Sequence, residues 1–240
     1  ENQRVTLKDN GSIDEIKKYA RYYNAGIHKM ELKSQFRCDG SDGYLAWLDN
    51  VLEIRETANF DLDNKYDFKV FDNPNELRKA IEEKNKVNNK SRLVAGYCWN
   101  WISEGKNKSD VYDITIPEYN FGMSWNLGNS STWAIDKESV NEIGCIHTCQ
   151  GLEFDYVGVI IGDDLRYENN HIITDYTKRA KTDQSIKGIN KIAKEEGIEE
   201  AKRITDSIIK NTYKTLMTRG MKGCYVYCID KKLNEYLKNR

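Results

Sequence analysis

Apolar residues along this chain recur with two periods, and the alternation between those periods lays out a fold. Residues 12–23 predict a helix: Ser12 can cap it, and Ile13, Ile16, Tyr19 and Ala20 fall at helical spacing. A second helix is predicted from residue 42 to about 58, with Tyr44, Leu45, Leu48, Leu52 and Ile54 on or near one face. Residues 66–72 alternate like a strand. Asn73-Pro74 then marks a helix start, Asn at the cap and Pro at the first helical position, and that helix runs to about residue 87. Residues 92–98 (RLVAGYC), 142–148 (EIGCIHT), 154–162 (FDYVGVIIG) and 223–230 (GCYVYCID) predict strands. Between the last two lies an amphipathic helix from residue 198 to about 215, its apolar face formed by Ala201, Ile204, Ile208 and Ile209. Residues 231–239 predict a closing helix.

Two stretches escape this pattern. Residues 100–135 are aromatic and polar by turns and read as irregular chain with short strands. Four of the five tryptophans, Trp99, Trp101, Trp125 and Trp133, fall there or just before. Stacking on unpaired bases is one use for them, and filling a core is the commoner one. Residues 163–195 are polar and read as an excursion with a small hairpin around residues 171–173. Segments 99–135 and 163–195 are therefore candidate insertions. The remainder, strands alternating with helices, predicts an α/β fold with a mostly parallel sheet and helices on its faces. In such sheets ligands bind beyond the carboxyl ends of the strands. The loops after Thr148 and Gly162, and the turn before Gly223, are where chemistry is expected.

Composition narrows the class. The formal net charge of −1 over 240 residues gives no global basic field, although a local groove can still be basic. No apolar run approaches the roughly 18 residues of a membrane span. The opening Glu-Asn-Gln-Arg has no Met and no signal-peptide pattern, and it reads as the start of a piece of a longer protein. Six cysteines in such a chain read as reduced thiols, which predicts a cytoplasmic protein.

Candidate chemistry is concentrated in three stretches. There is no Gly-x-x-x-x-Gly-Lys-Ser/Thr, so the chain cannot build a P-loop. Residues 144–155 (GCIHTCQGLEFD) bring Thr148 and Gln150, which can donate to a phosphate or sugar. In the same stretch Gly151 permits a tight turn, and Glu153 can accept from a ribose hydroxyl. A polar inter-strand loop with a capping carboxylate would use the same residues. In residues 213–223 (YKTLMTRGMKG) a helix leads into Arg219 just before a strand. An arginine there can reach phosphate oxygens or simply compensate the helix dipole. In residues 32–38 (LKSQFRC), Arg37 precedes the start of a helix and can contact an anion or make a surface ion pair. Cys145, His147 and Cys149 alternate along what reads as a strand, too extended to share a zinc ion.

The order of these stretches resembles a known set. Residues 143–161 resemble motif V of superfamily 1 helicases, residues 212–219 resemble motif VI, and residues 32–38 resemble motif IV. The opening residues resemble the tail of motif III. More closely, QFRCDGSDGYLAWLD, HTCQGLEFDYVGVIIGDDL and LMTRGMKGCYVYC resemble the Schlafen-type (group three) DNA/RNA helicase domain over nearly the whole chain.

That resemblance implies that residues 1–240 are the second RecA-like domain of a longer motor, inactive by itself. The N-terminal RecA-like domain of the same protein would hold ATP and Mg2+. Arg219 would be the arginine finger, Arg37 a second γ-phosphate contact and Gln3 a phosphate sensor. Gln150, Gly151 and Glu153 would lie at the nucleotide. His147 and Thr148 would couple it to a single strand of DNA or RNA. The alternative expectation is a RecA-like module that binds nucleic acid or assembles without catalysis. The motor reading also expects the surface around Arg37, Glu153 and Arg219 to be exposed.

Overall fold

The computed structural model describes residues 4–7, 13–28, 30, 38, 41–62, 66–102, 111–126 and 132–240. Among them the first half of the chain runs α1 (Ile13–Tyr22), α2 (Asp42–Val51), β1 (Asp67–Val70), α3 (Pro74–Asn88), β2 (Ser91–Ala95), β3 (Ile114–Ile116) and β4 (Phe121–Trp125). It continues through β5 (Glu142–Gly144), α4 (Ile146–Cys149), β6 (Phe154–Ile161), β7 (Leu165–Glu168) and β8 (His171–Thr174). Last come α5 (Ile189–Glu195), α6 (Ile198–Met217), β9 (Gly220–Cys228) and α7 (Lys231–Lys238). Seven strands form one sheet in the order β1-β9-β6-β2-β5-β4-β3, while β7 and β8 pair separately. Every neighbouring pair from β1 to β4 is parallel, and only β3, on β4, is antiparallel. This is the predicted α/β architecture, a RecA-like sheet with helices on both faces.

The period of two in the strands puts alternate residues into two cores. Val157, Val159 and Ile161 of β6 face one core together with Cys224, Val226 and Cys228 of β9. Trp47 and Leu48 of α2, Ile209 and Leu216 of α6 and Leu233 of α7 close it. The intervening Ile160, Tyr225 and Tyr227 turn to the other core, where Leu77 and Ile81 of α3 cover them. Burying each such aliphatic side chain contributes about 1.5–3 kcal/mol, which is why β6 and β9 read as continuous apolar runs.

Local signals fix the helix starts. The Asn73 side chain accepts from the Asn75 amide at 2.9 Å, with Pro74 in the first turn. The Asp230 carboxylate does the same for Leu233 at 2.6 Å. The predicted cap of α1, Ser12, lies outside the described residues. Helix α2 stops at Val51, short of the predicted end near residue 58, because Glu53 takes φ 51 and turns the chain back onto Asp49.

Two further expectations are corrected. The predicted strand over 142–148 ends at Gly144, and Ile146–Cys149 form one helical turn. The reason is packing across Gly144: a Cβ there would sit 2.7 Å from both the Cys149 sulfur and the Trp133 ring. The final strand begins at Gly220, ahead of the predicted 223, through a bulge that sets Phe154 against Gly220 and Tyr156 against Gly223. Within 99–135 the expected short strands are β3 and β4, which extend the sheet; Trp125 and Trp133 are buried, and Trp99 and Trp101 are half-exposed. The hairpin expected in 163–195 is present as β7 and β8, with Asn169 and Asn170 at its tip (φ 52 and 65).

Candidate nucleotide-facing site

Helix α6 crosses the sheet face and hands the chain to β9 through Thr218-Arg219. Four consecutive carbonyls of this turn are each captured by a different element. Tyr44 of α2 donates its hydroxyl to Met217 O at 3.0 Å. The Cys38 thiol lies 3.9 Å from Thr218 O. The Phe154 amide donates to Arg219 O at 2.8 Å. Tyr66 donates its hydroxyl to Gly220 O at 2.7 Å. Burial raises both tyrosines well above the ordinary phenol range, so they remain neutral donors. Gly220 is required sterically, since a Cβ would meet Gly223 O at 2.0 Å.

The side chain of Arg219 is held as tightly as its backbone. Its Nε donates to Thr215 O at 2.9 Å and its Nη1 to Leu152 O at 3.1 Å. Cys149 lies close enough to sense it: burial and Cys145 push the Cys149 thiol up, against the pull of the Arg219 guanidinium. Arg219 is 1% exposed, whereas Gln150, Gly151 and Glu153 are exposed. The expectation of an exposed surface therefore holds at Glu153 and fails at Arg219. The cause is the loop 150–153, which folds back so that the Leu152 carbonyl meets the guanidinium.

Gly151 takes φ 90, a conformation that favours glycine, and the space its Cβ would enter is empty to 4 Å. The Cβ position of Gly151 is thus open, between the exposed Gln150 and Glu153. Its position also corrects an expectation. Arg219 and residues 150–153 sit at the amino ends of β6 and β9, not beyond the carboxyl ends of the strands.

His147 and Thr148 lie toward the opposite end of the sheet. The Thr148 hydroxyl donates to Asn126 Oδ1 at 2.9 Å, just past β4. The exposed His147 ring stands 6.5 Å from that of Tyr97, which stacks on Trp125 at 5.3 Å. Helix α4 and its following loop therefore run from one end of the sheet to the other.

The structure brings Arg219 against the 150–153 loop, and it brings Cys38, the neighbour of Arg37, against Thr218. Arg37 and Gln3 lie outside the described residues. Sequence reasoning missed Tyr44 and Tyr66, because a buried tyrosine carries the same apolar periodicity as a core residue and its hydroxyl partner is distant in sequence. Among the described residues, no helix is long and apolar enough to cross a membrane. None of the six cysteines forms a disulfide.

The family described as Schlafen group 3, DNA/RNA helicase domain, matches residues 1–230. An uncharacterized protein of Saccharomyces cerevisiae is 27% identical over 252 residues, which cover 98% of this chain and 52% of that protein. The chain thus spans about half the length of the curated relative it matches. No solved structure matches it. With the motif-like stretches in order and in contact at one end of a RecA-like sheet, and with the match over nearly all of its length, the chain belongs to the Schlafen group 3 DNA/RNA helicase domain family.

Proposed function

We propose that this chain is the second motor domain of an ATP-dependent DNA or RNA helicase or translocase. It closes over ATP and Mg2+ held mainly by an N-terminal RecA-like domain of the same protein. The observation that carries the reading is the junction of three motif-like stretches: Arg219 on Leu152 O, Phe154 N on Arg219 O, and Cys38 on Thr218 O. Three remote segments meet where an arginine, an exposed carboxylate and an open glycine turn stand together. Those groups suit a nucleotide: Gln150, Gly151 and Glu153 for the sugar side, and Arg219 for phosphate oxygens. Gln3 and Arg37 take the phosphate roles that the resemblance assigns.

Phosphoryl transfer needs positioning and neutralisation of charge, and an arginine supplied across a cleft is worth about 10³–10⁵ in rate. The described partners of the Arg219 fork include two backbone carbonyls, which phosphate oxygens replace on closure. Closure then releases Leu152 and reshapes the 150–153 loop, which α4 connects to His147 and Thr148 beside a single nucleic-acid strand. The exposed apolar residues Ile13, Ile16 and Tyr19 of α1 support a further domain against this one. Six cysteines outside any disulfide support a cytoplasmic location.

The test is ATP turnover by the full-length protein, with and without single-stranded DNA or RNA, in wild type and Arg219→Ala. Strand-stimulated turnover that falls by about 10³ or more in the variant, with ATP still bound, is expected. One observation favours a second reading: the burial of Arg219 within its own domain suits a structural residue of a non-catalytic nucleic-acid-binding or assembly module. Absence of turnover in the wild type with any nucleic acid selects that module.

A further inference from the structure

Beyond the carboxyl ends of β2 and β6, where an open α/β sheet leaves its ligand crevice, this chain fills the space with its own side chains. Arg179, from the 163–195 segment, is fully buried there. Its Nε donates to Asp183 Oδ2 at 2.5 Å, its Nη1 to Asp164 Oδ2 at 3.0 Å and its Nη2 to Ser185 Oγ at 3.3 Å. Both carboxyl side chains are 0% exposed. Burial would lower Arg179, but the two carboxylates outweigh it and hold the guanidinium above its ordinary value. The other oxygen of Asp164 accepts from the Tyr213 hydroxyl, which in turn accepts from the Gly162 amide at 3.0 Å. Gly96 leaves room for this contact, since a Cβ there would lie 2.0 Å from the Tyr213 oxygen.

A buried ionic knot is seldom the most stable filling; apolar residues of equal volume often do as well or better. What a knot adds is register. Tyr213 belongs to α6, and Arg219 follows it by six residues, roughly one and two-thirds turns. The segment grips α6 at a second point, where Thr174 of β8 donates its hydroxyl to Asp206 at 2.8 Å. A phenylalanine at 213 would pack as well but would define no axial position.

We propose that Tyr213, held by Asp164 and the Gly162 amide, is a positioning residue that fixes the axial register of α6 and so the placement of the Arg219 guanidinium. The 163–195 segment is then the clamp of the motor's arginine. The inference rests on the reading of Arg219 as the group that meets the nucleotide phosphates. A misplacement of about 1 Å at such a group costs about 10²-fold in rate, and a slip of one helical residue moves it about 1.5 Å.

The experiment uses the full-length protein carrying Tyr213→Phe, measured per folded molecule. Strand-stimulated kcat is expected to fall about 10- to 100-fold, with KM for ATP unchanged within about twofold. Hydrogen exchange should accelerate at the Phe154 amide, whose acceptor is Arg219 O. If that variant does not fold, Thr174→Val, which removes the segment's second grip on α6 at Asp206 and leaves the ionic knot intact, should show a smaller loss in the same direction. Wild-type kcat in the folded variant, or unchanged exchange at Phe154, overturns the proposal. Should the wild type itself show no turnover, the motor reading falls, and the exchange at Phe154 alone decides whether Tyr213 sets the register of Arg219.

Discussion

Two arginines are buried at opposite ends of the same sheet, and they are held in different ways. Arg179, at the carboxyl end, is gripped by two carboxylates and a serine hydroxyl. Arg219, at the amino end, donates to the backbone carbonyls of Thr215 and Leu152. The first arrangement is hard to undo, because withdrawing the guanidinium would leave two carboxyl groups buried without it. At the second, each of the two carbonyls that loses its donor forfeits one hydrogen bond. The lesson is that burial alone does not say whether an arginine is structural. The described partners of the two differ in kind, carboxylates and a hydroxyl for Arg179 and backbone carbonyls for Arg219.

Stability measurements break or sharpen this contrast. Arg179→Met should cost the most, about 3–5 kcal/mol in urea unfolding, by leaving Asp164 and Asp183 unpaired. Arg219→Met should cost only about 1–3 kcal/mol while removing strand-stimulated turnover. Equal losses in the two unfolding curves would mean that the arginines play the same structural part.

Gly96→Ala comes next, because its Cβ meets the buried Tyr213 oxygen. Overpacking of this kind costs about 1–3 kcal/mol, and combining it with Tyr213→Phe should recover part of that loss. Strict additivity in the double-mutant cycle would contradict the close approach. Gly151→Ala strains a turn at φ 90 but enters open space, so about 1 kcal/mol is expected. If the loop cradles the nucleotide, the same variant raises KM for ATP more than it lowers Tm.

The smallest effect is at the surface. Asp155 accepts from Lys222 at 2.7 Å and from Asn88 at 2.8 Å. Partial burial pushes its carboxyl up, but Lys222 and Asn88 outweigh burial and hold it below the usual range. A depressed folded value means that the contribution is present above the unfolded carboxylate pKa, about 4, and fades as pH falls through the folded value. Lys222→Ala should therefore lower stability by about 0.5 kcal/mol at pH 7, the pair being exposed, and the difference should vanish in acid. A difference that persists below pH 2 would point to packing of the lysine stem instead.

Much of the fold could be read directly. The apolar run of β6, the cap of α3 and the periodicity of α6 are local signals, and those elements stand where they place them, while β9 begins three residues before its predicted start. The three motif-like stretches were also legible as segments. Elements that depend on distant partners were not. β3 and β4 are held by the sheet they join, and α4 turns because Cys149 packs over Gly144 beside Trp133, none of which is encoded at neighbouring positions. The hydroxyls of Tyr44 and Tyr66 stayed invisible for the same reason.

By itself, then, the sequence determined which residues are apolar and at what period, and so the alternation of helices and strands that makes this an α/β chain. It also placed an arginine just after α6 and a glycine where the 150–153 loop turns. Only the tertiary structure decided which end of the sheet carries them, that Arg219 is drawn inward onto Leu152, and that the carboxyl-end crevice is closed by Arg179. Periodicity is a property of neighbours in the chain. The partners of a buried charge are set by packing as well, which brings Asp164 to Arg179 across 15 residues and Leu152 to Arg219 across 67.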